Sequence, residues 1–496
     1  MTRFPETILC PIVDSIVRKA DSVAFLIAEE IYSFRQFGQI LSAVRMVIHQ
    51  LNADEKVFAL AIHDDIYTYA SIIALWMEGK AYVPLHPNQP MDRNVSILNQ
   101  VGTDFVLDSN YESEFSNSYR TVCTSRQVYT EDYLFNWVEA SEEDLAYILF
   151  TSGSTGIPKG VPISRSNLMA FIESFWDLDY QLSEQDRCLQ CFDLTFDLSV
   201  MSYLIPLMVG ACTYTVPYDK VKWSYIYFLL EKYQITFAMM TPSTIQYLSP
   251  YFSDISLPQM RYSMFAGEAL PVSTLKEWAV CAPNAFIDNA YGPTEDTIFC
   301  TVYRYLREGA NIEHNGVLSI GKAVKNVQAI IVDESNNVIE GKGEIGELCL
   351  SGKQLTKGYW NNPSKNKESF WTDESGIRYY HSGDLCCFGD DNNILFVGRK
   401  DSQVKINGYR IELSEIEFYA RSFLNKNIVV FSAEINGGSA IVMFVEQEET
   451  DNDSLLAFLR TKLPPYMIPN IIINEPSFPV NNSNKIDRNK LKQRLK

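Results

Sequence analysis

The most constraining feature of this sequence is a loop rich in glycine and hydroxyl groups that directly follows an apolar segment. Residues 147–161 read YILFTSGSTGIPKGV. The apolar start, residues 147–150, predicts a buried strand. The glycines of the loop allow positive φ and can present backbone N–H groups to an anion. The Ser and Thr hydroxyls around Gly153 can donate to phosphate oxygens, and Lys159 adds a mobile positive charge. The segment therefore predicts a phosphate-binding loop.

This loop differs from the P-loop of ordinary NTPases. That motif requires four residues between its first glycine and a Gly-Lys-Ser/Thr triplet, whereas Lys159 follows a proline and precedes Gly160. A flexible Ser/Gly turn between two strands is the alternative interpretation. The density of hydroxyl groups, glycines and one lysine favours the phosphate loop.

Length, charge and cysteine content bound the class of protein. A chain of 496 residues exceeds the roughly 250–300 residues at which one core stops growing, so more than one domain is expected. The net charge of −19 argues against a broad nucleic-acid surface. No apolar run is long enough for a membrane span, and no signal-peptide core is visible. Ten scattered cysteines suit a reducing compartment, so we expect a cytoplasmic protein.

The order of apolar patterns predicts the architecture. Helical patterns at 37–51 and 67–77 alternate with short apolar strands such as 57–62, which predicts a parallel sheet covered by helices. The pattern continues after the phosphate loop with a helix at 166–176. Short strands and glycine turns over 317–360 predict an antiparallel or barrel-like subdomain. The Cys188–Cys191 pair lies in an apolar segment and is interpreted as core rather than as a metal site.

A domain boundary is predicted near residues 398–401, and a compact α+β unit follows. Residues 414–417 read SEIE, which predicts a capping box that opens a helix. Strands at 428–431 and 440–445, joined by a turn at 436–438, are predicted next, followed by a helix at 454–462.

Further motifs occur in one order along the chain. They are YGPTE at 291–295, GEL at 346–348, SGD at 382–384, GRKDSQVKINGYRIE at 398–412 and NKIDR at 484–488. With the phosphate loop, this set resembles the adenylate-forming superfamily of acyl-CoA synthetases, luciferases and amino-acid adenylation domains, over essentially the whole chain. FDLSVM at 196–201 and the segment 163–168 look most like stand-alone amino-acid adenylation enzymes of the D-alanine–carrier protein ligase type, with Arg165 where many adenylation domains have a histidine.

The resemblance implies an α/β fold with a large N-terminal domain of helix-covered sheets and a barrel-like subdomain, at residues 1–398. It implies a hinge at 399–402, centred on Asp401, and a small mobile C-terminal α+β domain at 403–496 that carries the catalytic lysine. It further implies that a carboxylate attacks the α-phosphate of ATP, which expels pyrophosphate and leaves an acyl-adenylate, with ATP and Mg²⁺ as cofactors.

The resemblance also assigns roles to individual residues. The β- and γ-phosphates would be held by Thr151, Ser152, Thr155 and Lys159. The adenine and α-phosphate region would be held by Asn289, Ala290, Tyr291, Gly292, Pro293 and Thr294, with Tyr291 stacked on the base. Asp384 would accept from the ribose hydroxyls, and Arg399 would assist. The catalytic set would be Lys485, Thr294 and Glu295, with Lys485 bridging the substrate carboxylate and the α-phosphate, and Glu295 helping to bind Mg²⁺.

Asp197 matches the position that receives the substrate's α-ammonium in amino-acid enzymes, a pairing that would be costly to leave unmade in a dry pocket. The side-chain pocket would be lined by Leu198, Met201, Met240, Met264, Ala266, Ala290, Ile298 and Phe299. None of these is charged, so a small or medium apolar amino acid such as D- or L-alanine is favoured, and the methionines make an adaptable wall.

Three positions depart from the family pattern. Ala266 stands where D-alanine ligases usually have a cysteine, which leaves the amino acid and its chirality open. Asn484 replaces the usual glycine before the catalytic lysine, and His86 replaces a common aspartate.

The second half-reaction implied by the resemblance transfers the acyl group to a thiol. After rotation about the hinge, a pantetheine tunnel would open near Gly408, and the expected partner is a phosphopantetheinylated carrier protein that acts in trans. Two alternatives stay open. An acyl-CoA ligase for a carboxylic acid is disfavoured by Asp197, and a catalytically silent nucleotide-binding relative is disfavoured by Lys485, Glu295 and Asp384.

Overall fold

The computed structural model of the chain describes residues 3–51, 53–126, 133, 135–153, 156–435, 438–479 and 486–495. The internal contacts divide the chain into two compact units. The first comprises Met1–His86, Gln100–Leu149 and Gly160–Lys400, and the second comprises Pro87–Asn99, Phe150–Lys159 and Asp401–Lys496. The second unit therefore includes two segments of the earlier chain, one of which contains the predicted phosphate loop. The domain limits inferred from the sequence stay a prediction.

A nine-stranded sheet forms the centre of the first unit. Its strands are, in spatial order, Lys322–Ala323, Thr301–Arg304, Phe286–Tyr291, Tyr262–Phe265, Phe237–Met240, Arg187–Gln190, Cys212–Thr215, Val23–Ile27 and Glu30–Ser33. The five inner pairings are parallel and the outer ones antiparallel. The inner strand Phe237–Met240 is buried at every position, because a parallel sheet is covered on both faces.

A second sheet has six strands. They are ordered Arg120–Cys123, Phe105–Asp108, Val57–Ala61, Ala81–Leu85, Leu145–Thr151 and Lys159–Ser164. The first five pair in parallel. The predicted buried strand before the phosphate loop is confirmed, since Ala146 to Leu149 are all buried.

Helices alternate with these strands, which confirms the α/β prediction. Those of the earlier chain are Cys10–Arg18, Phe34–Gln50, Ile66–Met77, Met91–Val101, Arg165–Asp177, Leu198–Val209, Lys222–Lys232, Pro242–Leu248, Val272–Cys281 and Pro363–Ser369. Local signals set several of their starts: Ser33 and Ser164 each form a capping box, and the Asp65 side chain accepts from the Thr68 N–H at 2.8 Å. Among the described residues, no helix is both long and apolar enough to cross a membrane.

The predicted change of texture after residue 317 is confirmed as an antiparallel sheet. Its strands are Val327–Val332, Gly346–Gly352, Arg378–Phe388, Phe370–Thr372 and Ile394–Arg399, the last of which pairs with Arg378–Phe388. Its apolar face contains Leu348, Leu350 and Cys386 and packs with Tyr291 and Cys300. This sheet is therefore packed against the segment that carries the YGPTE motif.

The C-terminal part of the second unit is α+β, as predicted. It contains the hairpin Gln403–Ile406 and Tyr409–Glu412, and a sheet of Ile428–Ile435, Gly438–Glu446 and Ile471–Glu475. Its helices are Leu413–Leu424, Asn452–Arg460 and Arg488–Lys492. The predicted turn at 436–438 falls partly on residues 436–437, which lie outside the described residues.

The capping box predicted at 414–417 is wrong. The helix begins one residue earlier, at Leu413, so Ser414 lies inside its first turn and no side chain caps it. Glu417 accepts instead from the Val430 N–H at 2.9 Å and from Arg488 at 2.6 Å. Contacts with residues distant in sequence thus take the side chain that the local pattern would use as a cap.

This correction predicts that substitutions at Asp451 and at Ser414 have different effects on the stability of the protein. Asp451 does cap its helix, accepting from the Ser454 N–H at 3.1 Å, so Asp451→Ala should lower the free energy of unfolding by about 1 kcal/mol. Ser414→Ala should change it by less than about 0.5 kcal/mol. Urea unfolding of the full chain measures both. If Ser414→Ala lowers the free energy of unfolding by about 1 kcal/mol, the hypothesis of a capping box at Ser414 would be supported after all.

Candidate active site

Asp197 is a buried carboxylate at the start of the helix Leu198–Val209. Its side chain makes no cap bond to that helix and is only 7% exposed. It accepts from the Ile298 N–H at 3.3 Å. Burial raises the pKa of Asp197 to about 6, while hydrogen bonds from Thr294 and Ile298 work in the opposite direction. A cation at this carboxylate would lower its pKa again, so the site favours a positively charged group.

The predicted side-chain pocket draws on one helix and three neighbouring parallel strands. Leu198 and Met201 lie in the first turns of Leu198–Val209. In the strands, Met264 is paired with Met239 and with Asp288, so these three share a face of the sheet. Ala290, two residues after Asp288, lies on the same face, and Ala266 directly follows Met264's strand.

Met240 lies on the other face. It is paired with Phe265, which in turn is paired with Asn289. The register therefore places Met239, rather than Met240, on the face that Met264 occupies, and the role of Met240 in the pocket stays a prediction. A shift of one residue reverses every side chain of a strand, and the apolar run FAMM offers no polar residue that would reveal the register from the sequence.

Glu295 lies in a short turn of 3₁₀ helix, Thr294–Asp296, and is fully buried. Tyr359 donates its hydroxyl to Glu295 Oε1 at 2.7 Å. The Thr356 N–H donates to the Glu295 carbonyl at 2.8 Å, which fixes the backbone as well. Tyr359 was not identified from the sequence, although it follows the GEL motif within the strand-and-turn segment.

The next residue, Asp296, is also fully buried, and its pKa is raised well above the usual range, chiefly by burial and further by the charge of Glu295. The turn that follows is strained. Thr297 and Ile298 have φ of 50° and 75°, a region that β-branched residues rarely adopt. Phe299, the last predicted pocket residue, is fully buried and packs edge-on against Phe171 with ring centres 5.0 Å apart.

Three residues assigned to nucleotide binding form one hydrogen-bonded chain. Tyr291 donates its hydroxyl to Asp384 Oδ2 at 2.5 Å, and Arg399 donates to Asp384 Oδ1 at 2.8 Å. Arg399 also donates to the Ser382 carbonyl at 2.9 Å. Asp384 is thereby held in a single orientation by a phenol on one oxygen and a guanidinium on the other.

The other residues of the 289–293 segment are held by the protein itself. Asn289 donates its amide to the carbonyls of Leu318 and Ser319, at 3.3 and 2.9 Å. At Gly292, an added Cβ would lie 2.4 Å from the Phe299 Cα, so only glycine fits this close approach. Pro293 occupies the position before the Thr294–Asp296 turn. The role of this segment in nucleotide binding stays a prediction.

The predicted phosphate loop belongs to the second unit, where carboxylates hold its polar groups. The Gly153 N–H donates to Glu415 Oε2 at 3.2 Å, and Lys159 Nζ lies 3.6 Å from Glu412 Oε1. The Ser152 hydroxyl donates to the Arg410 carbonyl at 3.0 Å. An added Cβ at Gly153 would lie 2.1 Å from the Ile157 carbonyl oxygen, so glycine is required.

Glu415 is the most buried of these acids. Arg93 Nη1 donates to it at 2.9 Å, and burial raises the pKa of Glu415 despite this contact and that of Gly153. Thr151 donates to the Lys159 carbonyl at 3.4 Å, which closes the base of the loop. Carboxylate oxygens therefore contact the Gly153 N–H and the Lys159 ammonium, and the role of this loop in phosphate binding stays a prediction.

Two residues assigned to catalysis and phosphate binding, Lys485 and Thr155, lie outside the described residues, as does Asn484. Asp401 is the first residue of the last segment of the second unit, and its carboxylate accepts from the Gln403 N–H at 3.1 Å. The role of Asp401 as a hinge stays a prediction.

Two departures from the family pattern are explained by pairing. His86 Nε2 lies 3.0 Å from Asp193 Oδ2, and burial alone would raise the pKa of Asp193, but hydrogen bonds from His86 and Thr195 outweigh it and lower that pKa. Arg165 is fully buried, donates to the Trp76 carbonyl at 2.9 Å and lies over the Phe4 ring. Both side chains therefore pair with other residues of the first unit.

Among the described residues, no group of three or more His, Cys, Asp or Glu side chains could hold a metal ion. Cys188 lies in the strand Arg187–Gln190 and Cys191 donates its thiol to the Met239 carbonyl, as expected of core residues. Glu295, a single carboxylate, suits Mg²⁺, which commonly binds one or two carboxylates together with substrate phosphates.

The fold and these contacts fit an enzyme that handles an adenine nucleotide. The chain belongs to the family of AMP-binding enzymes, whose family model matches residues 13–360. The D-alanine–D-alanyl carrier protein ligase of Bacillus velezensis is 30% identical over 493 residues, covering 95% of this chain and 96% of that protein. A much longer protein, part of the linear gramicidin synthase of Brevibacillus parabrevis, is 29% identical over 485 residues, and this chain spans only 9% of its length.

Solved structures agree with this assignment. The Vibrio cholerae adenylation domain AlmE, whose crystal structure contains glycyl-adenosine-5′-phosphate, is 27% identical with a TM-score of 0.85, covering 98% of this chain and 97% of that one. The predicted fold, a large N-terminal α/β part followed by a small C-terminal α+β part, is thereby confirmed.

The opposite pKa shifts of Asp197 and Asp193 predict opposite stability effects. The folded pKa of Asp197 is raised, so its ionisation opposes folding above the unfolded pKa, and Asp197→Asn should increase the free energy of unfolding at neutral pH by about 1–3 kcal/mol. The pKa of Asp193 in the folded protein is lowered, so Asp193→Asn should decrease the free energy of unfolding. Urea unfolding at pH 7 and pH 5 measures both. A destabilised Asp197→Asn variant would contradict this account.

The carboxylates that contact the phosphate loop predict that the affinity for ATP rises when the charge of one of them is removed. Glu412→Gln removes the anion beside Lys159, so the KM for ATP should fall by a factor of about two to five. Glu434→Gln is the matched control, because Glu434 is exposed in the same unit and carries the same charge. Steady-state kinetics measure both variants. A higher KM for ATP in Glu412→Gln would mean that Glu412 assists nucleotide binding rather than competing with it.

Proposed function

We propose that this protein is an AMP-forming ligase that adenylates a small or medium apolar amino acid with ATP and then transfers it to the phosphopantetheine thiol of a separate carrier protein. In the first step a carboxylate oxygen of the amino acid bonds to the α-phosphorus, and the bond to the β-phosphate breaks, releasing pyrophosphate. In the second step the thiol sulfur, after loss of its proton, bonds to the acyl carbon, and AMP leaves.

The observation that carries this proposal is the buried carboxylate of Asp197. It lies beside Thr294 and Ile298, next to the segment that contains Glu295. A buried carboxylate with a raised pKa is costly for the protein alone and gains most from a fixed positive charge. The α-ammonium of an amino acid supplies such a charge, whereas an acyl chain would not.

The composition of the pocket wall supports a small apolar side chain. We assign the wall to Met239 and Met264 on the shared sheet face, with Ala266 and Ala290 beyond them, and to Leu198, Met201, Ile298 and Phe299 from the helix and the strained turn. All of these are uncharged. The relatives support the same class, since one is named for D-alanine and AlmE was crystallised with glycyl-adenosine-5′-phosphate.

Different groups of residues would hold the adenosine and the phosphates of the nucleotide. We assign the adenosine to the chain of Tyr291, Asp384 and Arg399, because a carboxylate fixed from both sides is preorganised to accept ribose hydroxyls. The β- and γ-phosphates would be held by Thr151, Ser152, Thr155 and Lys159. They would replace the carboxylates of Glu412 and Glu415, which contact this loop in the structure.

Two charged groups would stabilise the reacting centre. Glu295 would hold Mg²⁺ together with the phosphates, and the bound cation would neutralise phosphate charge. Lys485 would bridge the substrate carboxylate and the α-phosphate, where negative charge develops. Thr294, which hydrogen-bonds Asp197, would orient the amino acid beside them.

The partner and the compartment follow from the relatives and from the cysteines. One relative, from Bacillus velezensis, is named a D-alanine–D-alanyl carrier protein ligase, which supports a carrier protein as the partner, and we propose that this carrier acts in trans. All ten cysteines lie in the described part of the chain and none of them forms a disulfide, so we place the reaction in the reducing environment of the cytoplasm.

Pyrophosphate exchange into ATP tests the proposal directly. The panel comprises glycine, D- and L-alanine, larger apolar amino acids, charged amino acids, and fatty and aryl acids. Exchange with a small apolar amino acid is expected. Asp197→Asn should raise the KM for that amino acid by a factor of about 100 or more, since it removes a buried charge pair. In the unmodified protein this KM should rise as the pH falls below about 6.

The controls separate the candidate reactions. Lys485→Ala should abolish exchange, because it removes the positive charge at the reacting centre. Asp193→Asn should retain exchange, because Asp193 is a buried carboxylate that pairs with His86 instead. Exchange only with acids that lack an amino group would replace the proposal by an acyl-CoA ligase. Silence with every acid would indicate a nucleotide-binding relative without this activity.

A further inference from the structure

The turn at Thr297 and Ile298 is held in a conformation that these residue types avoid. Both are β-branched and both have positive φ, which costs conformational free energy and persists only when neighbouring groups enforce it. The turn begins two residues after Glu295, and its Ile298 N–H donates to the Asp197 carboxylate. The group that enforces this conformation therefore controls two parts of the candidate site.

Gln354 makes that contact. Its side chain is fully buried, and its amide nitrogen donates to the carbonyls of Asp296, Thr297 and Phe299, at 3.2, 3.4 and 2.9 Å. In the other direction, the Thr297 hydroxyl donates to the Gln354 carbonyl at 2.5 Å. One side chain thus spans the turn from the residue before it to the residue after it.

Gln354 is itself held on a rigid support. The carbonyls of its neighbours, Lys353 and Leu355, both accept from the Asn167 amide, at 2.8 and 3.1 Å. Asn167 is the third residue of the helix Arg165–Asp177, and it forms the capping box of that helix with Ser164. The Lys353 N–H also donates to the Asn326 carbonyl at 2.9 Å. The backbone on both sides of Gln354 is therefore fixed by these hydrogen bonds.

We propose that Gln354 is a positioning residue that holds the Thr297–Ile298 turn in its strained form and thereby sets the affinity for the amino acid. The inference rests on the proposed function for its substrate, and on the geometry alone for the turn. Without the amide, the turn relaxes toward negative φ, and the Ile298 N–H leaves Asp197. The carboxylate that would receive the α-ammonium then loses one of the groups that orient it, while Tyr291, Asp384 and Arg399 keep their contacts.

The variant Gln354→Met tests this inference, because it keeps the length of the side chain and removes the donor. The KM for the amino acid should rise by a factor of about ten, as expected for a lost hydrogen bond to a charged group, whereas the KM for ATP should change by less than about twofold. Hydrogen–deuterium exchange over residues 294–300 should become faster, since the Ile298 N–H loses its protection. If Gln354→Met is too unstable to purify, Gln354→Asn, which retracts the amide by one methylene, serves in its place.

The matched control is Ser71→Ala. The Ser71 hydroxyl is fully buried in the same unit and donates to the Tyr67 carbonyl within the helix Ile66–Met77. Its loss should lower stability without changing either KM or the exchange over residues 294–300.

Three outcomes separate this inference from the proposed function. An unmodified protein that is silent with every amino acid would overturn the proposed function, while the exchange over residues 294–300 would still decide whether Gln354 holds the turn. If hydrogen–deuterium exchange over residues 294–300 is unchanged in Gln354→Met, the inference is overturned and the proposed function stays intact. If that hydrogen–deuterium exchange becomes faster while the KM for the amino acid is unchanged, the link between the turn and the affinity is overturned.

Discussion

Buried negative charge is the constraint on which the candidate site of the first unit depends. Asp197, Glu295 and Asp296 are all buried, and the charge of Glu295 adds to the effect of burial in raising the pKa of the other two. Such a concentration of carboxyl groups opposes folding unless hydrogen bonds or cations compensate. Tyr359 and the Ile298 N–H compensate in part. An α-ammonium and Mg²⁺ would complete the compensation, so the same cost that lowers stability favours binding of the substrates.

The second unit shows the complementary arrangement. Here the loop provides N–H groups and an ammonium, and Glu412 and Glu415 provide the anionic oxygens. A loop built to hold phosphate cannot leave these groups unsatisfied when it is buried, because an unpaired donor costs about as much as a lost hydrogen bond. On the proposed function, phosphate would replace these carboxylates and keep the loop satisfied in both states, so that Glu412 and Glu415 would compete with the nucleotide.

Local signals in the sequence account for much of the fold and for the most distinctive site residues. The periods of apolar residues predicted the alternating strands and helices. Asp197 and Glu295 were identified because the motifs FDLSVM and YGPTE resemble those of adenylate-forming enzymes. The same reasoning failed at Ser414, where the pattern was present but Glu417 bonds to Val430 and Arg488, which lie far along the sequence.

The sequence by itself determined the class of fold. It also predicted the phosphate loop and, through the family resemblance, the acidic residues of the site, because short motifs of neighbouring residues carry both. Only the tertiary structure decided which methionine shares a face with Met264, since that depends on the register between strands. It alone also joined Gln354 to the turn at Thr297, far earlier in the chain, and His86 to Asp193. Register and long-range contacts arise when separate segments pack together, and no local pattern encodes them.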